Sequence, residues 1–221
     1  WWGQKIGRPV FELLSLNSKM LPRTSYTISI GELDEIGSKI EDAESYSILK
    51  VKLGTPKMDK EIITEIRRHT DKLIRVDANE GWAKDDALKM SFWLADRNVE
   101  FIEQPFPAKD LNASIELKKK SPLEIFADEN SLNSNDIKPL RHAFHGINIK
   151  LMKCGSLDEG KKMINIAREN GLKVMLGCMV ETSVGITNAS HLAGEVDFVD
   201  LDGNLLIKND PYSGVVVNDG R

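Results

Sequence analysis

The feature that limits the fold most is an alternation. Eight short runs rich in β-branched residues occur at 24–30 (TSYTISI), 46–52 (YSILKVK), 72–78 (KLIRVDA), 99–105 (VEFIEQP), 123–129 (LEIFADE), 146–152 (GINIKLM), 172–178 (LKVMLGC) and 196–202 (VDFVDLD). Longer segments with helical periodicity separate them, among them MDKEIITEIRRHTD, AKDDALKMSFWLADRN and SLDEGKKMINIARENG. The last ends on Asn170-Gly171, a pair suited to stopping a helix. Strands that alternate with helices imply βαβ units and a parallel sheet. Eight such units imply a closed (β/α)8-type TIM barrel rather than an open sheet. Residues 24–221 are the expected barrel domain. Residues 1–23 fall outside the alternation and read as the tail of a preceding element. The chain opens without an initiator Met, so a further N-terminal segment is expected in the whole protein.

Composition narrows the function classes. The 221 residues carry a formal charge of −4, with acids and bases interspersed and no basic block. That argues against nucleic acid and against a membrane surface as partners. Cys154 and Cys178 form no CxxC pair, so neither a disulfide framework nor a zinc site is expected. No apolar run is long enough to span a bilayer, and no signal peptide is visible; a cytoplasmic location is the expectation.

The ionisable residues fall late in their strands: Lys52, Asp77, Glu103, Asp128, Lys150 and the pair Asp200/Asp202. The first five are 25, 26, 25 and 22 residues apart, each about one βα unit. A barrel gathers equivalent strand ends into a ring, and its active site lies on that rim. Three carboxylates on consecutive strand ends repel one another unless a cation binds between them. All-oxygen ligands point to a hard cation, Mg²⁺ first and Mn²⁺ second. The competing reading is that each acid caps a helix or ends a strand at the surface.

Within YSILKVK, alternation places Ile48, Lys50 and Lys52 on one face and Leu49, Val51 and Leu53 on the other. The leucines and valine belong against helices, which turns both lysines into the barrel. Same-face neighbours lie about 6.6–7 Å apart. Two ammoniums at that distance repel by roughly 2.4 kcal/mol at an effective dielectric near 20. That is enough to bring a lysine toward the range useful for a general base.

LKVKLG, RVDANEGW, FIEQPF, FADEN and NIKLMKCG, in that order, resemble the enolase superfamily and its muconate-lactonizing-enzyme-like subgroup. The resemblance covers nearly the whole chain from Thr24 onward and implies a modified (β/α)7β barrel. It implies Asp77, Glu103 and Asp128 as Mg²⁺ ligands, and Lys52 and Lys150 as an acid/base pair on opposite faces of a substrate α-carbon. Lys50 would support Lys52 and the substrate carboxylate. The chemistry is removal of a proton next to a carboxylate to give an enediolate. An acidic pair at Asp200/Asp202 suits an ammonium, and DLDGN, with Thr27 in SYTISI and with GCMVETSVGIT, resembles dipeptide epimerases of the Ala-Glu type. A small dipeptide from peptidoglycan turnover is the substrate this implies, with a homo-oligomer compatible. A cycloisomerase, an o-succinylbenzoate synthase or a truncated non-catalytic barrel are the alternatives. The resemblance leads one to expect that these 221 residues largely lack the family's N-terminal capping domain, with residues 1–23 resembling the end of its last helix and the lead-in to the barrel.

Other features read as structural. GSLDEGKK imitates a phosphate-binding loop, but it lacks the final Ser or Thr, and Asp158 and Glu159 repel phosphate. The four histidines share no spacing with the acids. Glu129 is either a partner of the metal and lysine site or a surface residue. Cys178 reads as small and semi-buried, Trp82 as packed at the rim, and Met175 and Met179 as core or pocket wall.

Overall fold

Each of the eight expected runs contains a strand. The structure, a computed structural model, describes residues 1–16, 21–55, 58–218 and 220. Residues 17–20 of the expected lead-in, and 56–57, 219 and 221 of the expected barrel, lie outside the described residues. The strands are β1 (Tyr26–Ile28), β2 (Ile48–Lys52), β3 (Leu73–Asp77), β4 (Val99–Glu103), β5 (Glu124–Ala127), β6 (Gly146–Lys150), β7 (Lys173–Gly177) and β8 (Phe198–Asp200). All are parallel and ordered β1 to β8 in sequence. A parallel bridge between Thr24 and Val199 links β8 back to the approach to β1 and joins the ring.

Two short helices, α1 (Trp2–Ile6) and α2 (Val10–Leu13), precede the barrel. The crossovers are α3 (Ile36–Asp42), α4 (Asp59–His69), α5 (Lys84–Ala95), α6 (Leu111–Lys120), α7 (Ser134–Leu140), the short α8 (Leu151–Cys154) with α9 (Leu157–Glu169), and α10 (Ser183–Ser190). After β8 the chain enters a 3-10 turn, Gly203–Leu206, so the described barrel is (β/α)7β. The ends of α9 are as read: the Ser156 side chain accepts from the Glu159 N–H, and Gly171 turns out at φ 68°. The strands are shorter than the runs because their ends leave the ladder. Gln104 adopts φ 37° directly after β4, and Asp202 lies beyond β8 where the 3-10 turn begins.

The period-2 pattern builds two cores. Leu49, Val51 and Leu53 lie with Ile62, Ile63 and Ile66 of α4 in the main core. A second cluster, Phe101, Phe126 and Met175 with Phe198 against it, is separate. Each of these precedes a strand-end position by two residues, so it shares that residue's inward face one layer down. The Phe101 and Phe126 rings stack at 4.3 Å. The Arg75 guanidinium lies 5.0 Å from the Phe198 ring and donates to Glu100 and to the Val199 carbonyl. This plug makes the barrel interior a floor rather than a pore.

Candidate active site

Strand register brings the ionisable strand ends to common levels. Lys52 pairs with Asp77 and Asp77 with Glu103. Lys150 pairs with Gly177 and Gly177 with Asp200. Asp128 follows the last residue of β5. In a ring of eight strands, β2 and β6 are four apart. Lys52 and Lys150 therefore stand on opposite sides of the barrel, with Asp77, Glu103 and Asp128 on the arc of β3, β4 and β5 between them.

The three acids are buried and offer carboxylate oxygens that lie within 4.8 Å of one another. Mg²⁺ binds oxygens at about 2.0–2.1 Å. Three hard anionic donors gathered from neighbouring strand ends are the donor chemistry that suits such a cation.

Four ammoniums interleave with the acids. Lys50 Nζ lies 2.8 Å from Glu103, 2.8 Å from Asp200 and 3.2 Å from Asp77. Lys52 donates to Asp77 Oδ2 at 2.7 Å. Lys150 and Lys153 donate to Asp128 Oδ2 and Oδ1, each at 2.5 Å. The expectation that neighbouring ammoniums lower one another's pKa fails at Lys50. Burial opposes its charge, but Asp200, Glu103 and Asp77 outweigh burial and raise its pKa well above the ordinary lysine value. Period-2 spacing reports only the repulsion within β2; the three acids come from β3, β4 and β8. Lys50 and Lys52 share an acceptor. Asp77 Oδ2 bridges the two.

The acids diverge in the same field. Burial and the neighbouring Asp77 push Glu103 up to about 7. Burial also opposes ionisation of Asp128, yet Lys153 and Lys150 hold it below the usual carboxylate range. Lys50 and Lys52 do the same for Asp77 against its burial. For Lys150 burial disfavours the charge, and Asp128 and Glu103 raise the pKa above that of an ordinary lysine.

Asp200 and Asp202 are both buried, so they are not a solvated turn. Asp200 Oδ1 accepts from the Ser25 hydroxyl at 2.7 Å, and its Oδ2 accepts from Lys50. Asp202 Oδ2 accepts from the Thr27 backbone N–H at 2.6 Å. Ser25 and Thr27 thus brace the pair from the β1 side. Burial and the charge of Asp200 raise Asp202 to about 6.

A scan against family models matches residues 35–205 to the enolase C-terminal domain-like family. The chain belongs to that family. It is 45% identical to the L-Ala-D/L-Glu epimerase of Bacteroides thetaiotaomicron over 99% of this chain and 57% of that protein. It is 41% identical to the L-Ala-D/L-amino acid epimerase of Flavobacterium johnsoniae over 99% of this chain and 65% of that protein. The crystal structure of the Enterococcus faecalis V583 dipeptide epimerase, complexed with Mg and the dipeptide L-Leu-L-Tyr, superposes with a TM-score of 0.90 at 33% identity, over 100% of this chain and 65% of that one. The chain thus spans about three-fifths of the length of the relatives it matches.

Several residues around this enolase-type site escaped sequence reading. Asn148, two residues before Lys150, donates to Glu103 Oε1 at 2.6 Å. It fits because β7 carries Gly177 opposite: a Cβ there would lie 2.5 Å from Asn148 Oδ1. Gln104 Oε1 accepts from the Asp128 N–H, and its amide nitrogen donates to Asn130 and to the Phe106 carbonyl. Asp59 accepts from the Gly54 and Thr55 N–H groups and from Trp82 Nε1 at 2.7 Å. That places Trp82 at the rim as expected, but as a hydrogen-bonded strut. Gly54, at φ 104°, meets Gly81 so closely that a Cβ on Gly81 would sit 2.4 Å from the Gly54 carbonyl oxygen. The Asn-x-Lys spacing on β6 was a readable signal for Asn148; the others carry no local pattern.

The remaining candidates fall elsewhere. Glu129 Oε2 is buried and has no hydrogen-bond partner, so Glu129 bonds neither lysine nor metal ligand through that oxygen. GSLDEGKK is the start of α9. His145 Nδ1 accepts from the Ile125 N–H, a structural bond, and His69 lies against Glu65 on α4. Met175 is core and Met179 is exposed. Cys178 is half-buried, and burial pushes its thiol well above the usual thiol range. No helix among the described residues is long and apolar enough to cross a membrane.

Proposed function

We propose that this chain carries the catalytic barrel, residues 24–221, of a Mg²⁺-dependent dipeptide epimerase that works by two-base proton transfer. The observation that carries the reading is the placement of Lys52 and Lys150 on strands four apart, across the ring from each other, with three buried carboxylates on the arc between. One lysine, as the neutral amine, takes the α-proton from one face of the substrate. The other, as the ammonium, returns a proton to the opposite face, and configuration inverts. Lys150, whose ammonium is stabilised by Asp128 and Glu103, is set up for the donor role.

Asp77, Glu103 and Asp128 would hold Mg²⁺, which when bound opposes the second negative charge that develops on the substrate carboxylate as the α-proton leaves. Lys50 adds a fixed positive charge beside them. Asp202, and Asp200 behind it, offer negative charge to the α-ammonium of a dipeptide. Thr27 holds Asp202 in place. A cycloisomerase substrate without an ammonium would leave that pair unused. Similarity to an L-Ala-D/L-Glu epimerase supports an Ala-Glu dipeptide, and hence peptidoglycan turnover, over a hydrophobic dipeptide. The test is chiral analysis of L-Ala-L-Glu, L-Ala-D-Glu and L-Leu-L-Tyr incubated with the protein and Mg²⁺, with and without EDTA. Metal-dependent inversion, fastest with Ala-Glu, is expected. Inversion of no dipeptide overturns the activity, and faster turnover of L-Leu-L-Tyr overturns the preference.

A further inference from the structure

Lys153 is a third lysine on the Asp128 side of the site, and its surroundings differ from those of Lys150. Its side chain is 8% exposed. Its ammonium has three N–H donors and meets three acceptors: the Asp128 carbonyl at 2.7 Å, Asp128 Oδ1 at 2.5 Å and the Asn148 carbonyl at 3.0 Å. Every donor is therefore occupied, two of them by main-chain oxygens that have no alternative form. Lys153 is thus well suited to hold its neighbours still.

What it holds is specific. α8 follows Lys150 directly, and the three-residue step along it brings Lys153 back to the same side. The bond to the Asn148 carbonyl closes a loop around Lys150, and the bonds to Asp128 tie that loop to the end of β5. The carboxylate plane of Asp128 is fixed from both sides, by Lys153 at Oδ1 and by Lys150 at Oδ2, while Gln104 holds its backbone N–H.

We propose that Lys153 is a positioning residue that commits Asp128 Oδ1 to a permanent internal bond and so holds the Asp128 carboxylate, beside Lys150, in the orientation in which it serves a divalent cation. This rests on the reading of Asp77, Glu103 and Asp128 as metal ligands. Residues that orient ligands in this way typically contribute 10–100-fold to metal affinity.

The test is Mn²⁺ affinity, measured from the EPR signal of the free ion, for the wild type, Asp77→Asn, Lys153→Met and Lys153→Arg, with folding checked by circular dichroism. Lys153→Met is expected to weaken Mn²⁺ binding about 10–100-fold, while α-hydrogen exchange at saturating metal stays within about tenfold of wild type. Unchanged Mn²⁺ affinity in folded Lys153→Met overturns the proposal, as does loss of exchange at saturating metal with affinity intact, which would make Lys153 an acid/base group. If Lys153→Met does not fold, Lys153→Arg decides. It keeps the charge but presents a planar fork that cannot converge on three acceptors. Affinity at least threefold below wild type supports the clamp, and wild-type affinity overturns it. Wild-type binding that Asp77→Asn weakens keeps the metal reading intact whichever way Lys153 falls. Absence of wild-type binding overturns both.

Discussion

Replacing Asp59 by Asn tests how the rim is held together. Asp59 is fully buried and gathers donors from three residues. Oδ1 accepts from the Thr55 N–H at 3.0 Å and from Gly54 at 3.1 Å, and Oδ2 accepts from Trp82 Nε1 at 2.7 Å. An amide supplies one acceptor and one donor group. In one orientation its NH₂ faces the Trp82 N–H; in the other it faces the Gly54 and Thr55 N–H groups. Either way at least one buried donor loses its acceptor, at about 1–3 kcal/mol, and the surviving bonds lose charge assistance. The sum is roughly 2–4 kcal/mol, which for a chain of this size lowers Tm by roughly 4–16 °C. Trp82 is one of four tryptophans and loses its bond partner in this change, so urea unfolding followed by tryptophan emission is the assay. Gly54 follows Lys52 by two residues, so loosening this turn also displaces the lysine. Epimerisation well below Tm is expected to fall by about tenfold or more. A stability loss under about 1 kcal/mol, with native tryptophan emission unchanged, would refute the idea that this carboxylate locks the β2 and β3 ends.

Further outcomes follow from the charges. Asp202 has a folded-state pKa of about 6 against an ordinary value of 3.8. The folded state therefore binds the extra proton between those values, and stability from this group is lost as pH rises from about 4 through 6. Relative to wild type, Asp202→Asn should gain on the order of 2–3 kcal/mol over that window, read from urea midpoints at both ends; a parallel pH profile for the two proteins would contradict the shift. Lys50→Met removes the cation shared by Asp77, Glu103 and Asp200 and should cost about 3–5 kcal/mol at pH 8. The cost should shrink toward pH 5 as the facing acids take up protons, a trend that unfolding at the two pH values checks. Gly81→Ala should destabilise strongly, because its Cβ would lie 2.4 Å from backbone oxygen that has no room to retreat; a Tm within 2 °C of wild type would count against that contact.

The strands and the metal-type acids were legible because both follow from one rule. A period of two within each strand, repeated at one βα unit, places Asp77, Glu103 and Asp128 on neighbouring strand ends. The same rule put Leu49, Val51 and Leu53 on the helix side. What it could not give is contact between distant strands. Lys50 is governed by acids from β3, β4 and β8, so local spacing predicted the wrong direction for its pKa. Lys153 sits in a short helix in a chain with many surface lysines, and nothing local marks it as buried. Gln104 acts from φ 37°, a conformation that an ordinary glutamine gives no reason to expect. Ser25 precedes its strand, and its bond to Asp200 spans 175 positions.

Lys52 and Lys150 are proposed to work on opposite faces of one α-carbon. The most direct measurement is α-hydrogen exchange in D₂O, with Mg²⁺ and each epimer of the best dipeptide, for wild type, Lys52→Ala and Lys150→Ala. Wild type should exchange and invert both epimers. Each variant should stop inverting yet still exchange one epimer, and the epimer retained by Lys52→Ala should be the one lost in Lys150→Ala. Inversion that survives either substitution, or exchange of the same epimer in both variants, would contradict the two-base arrangement.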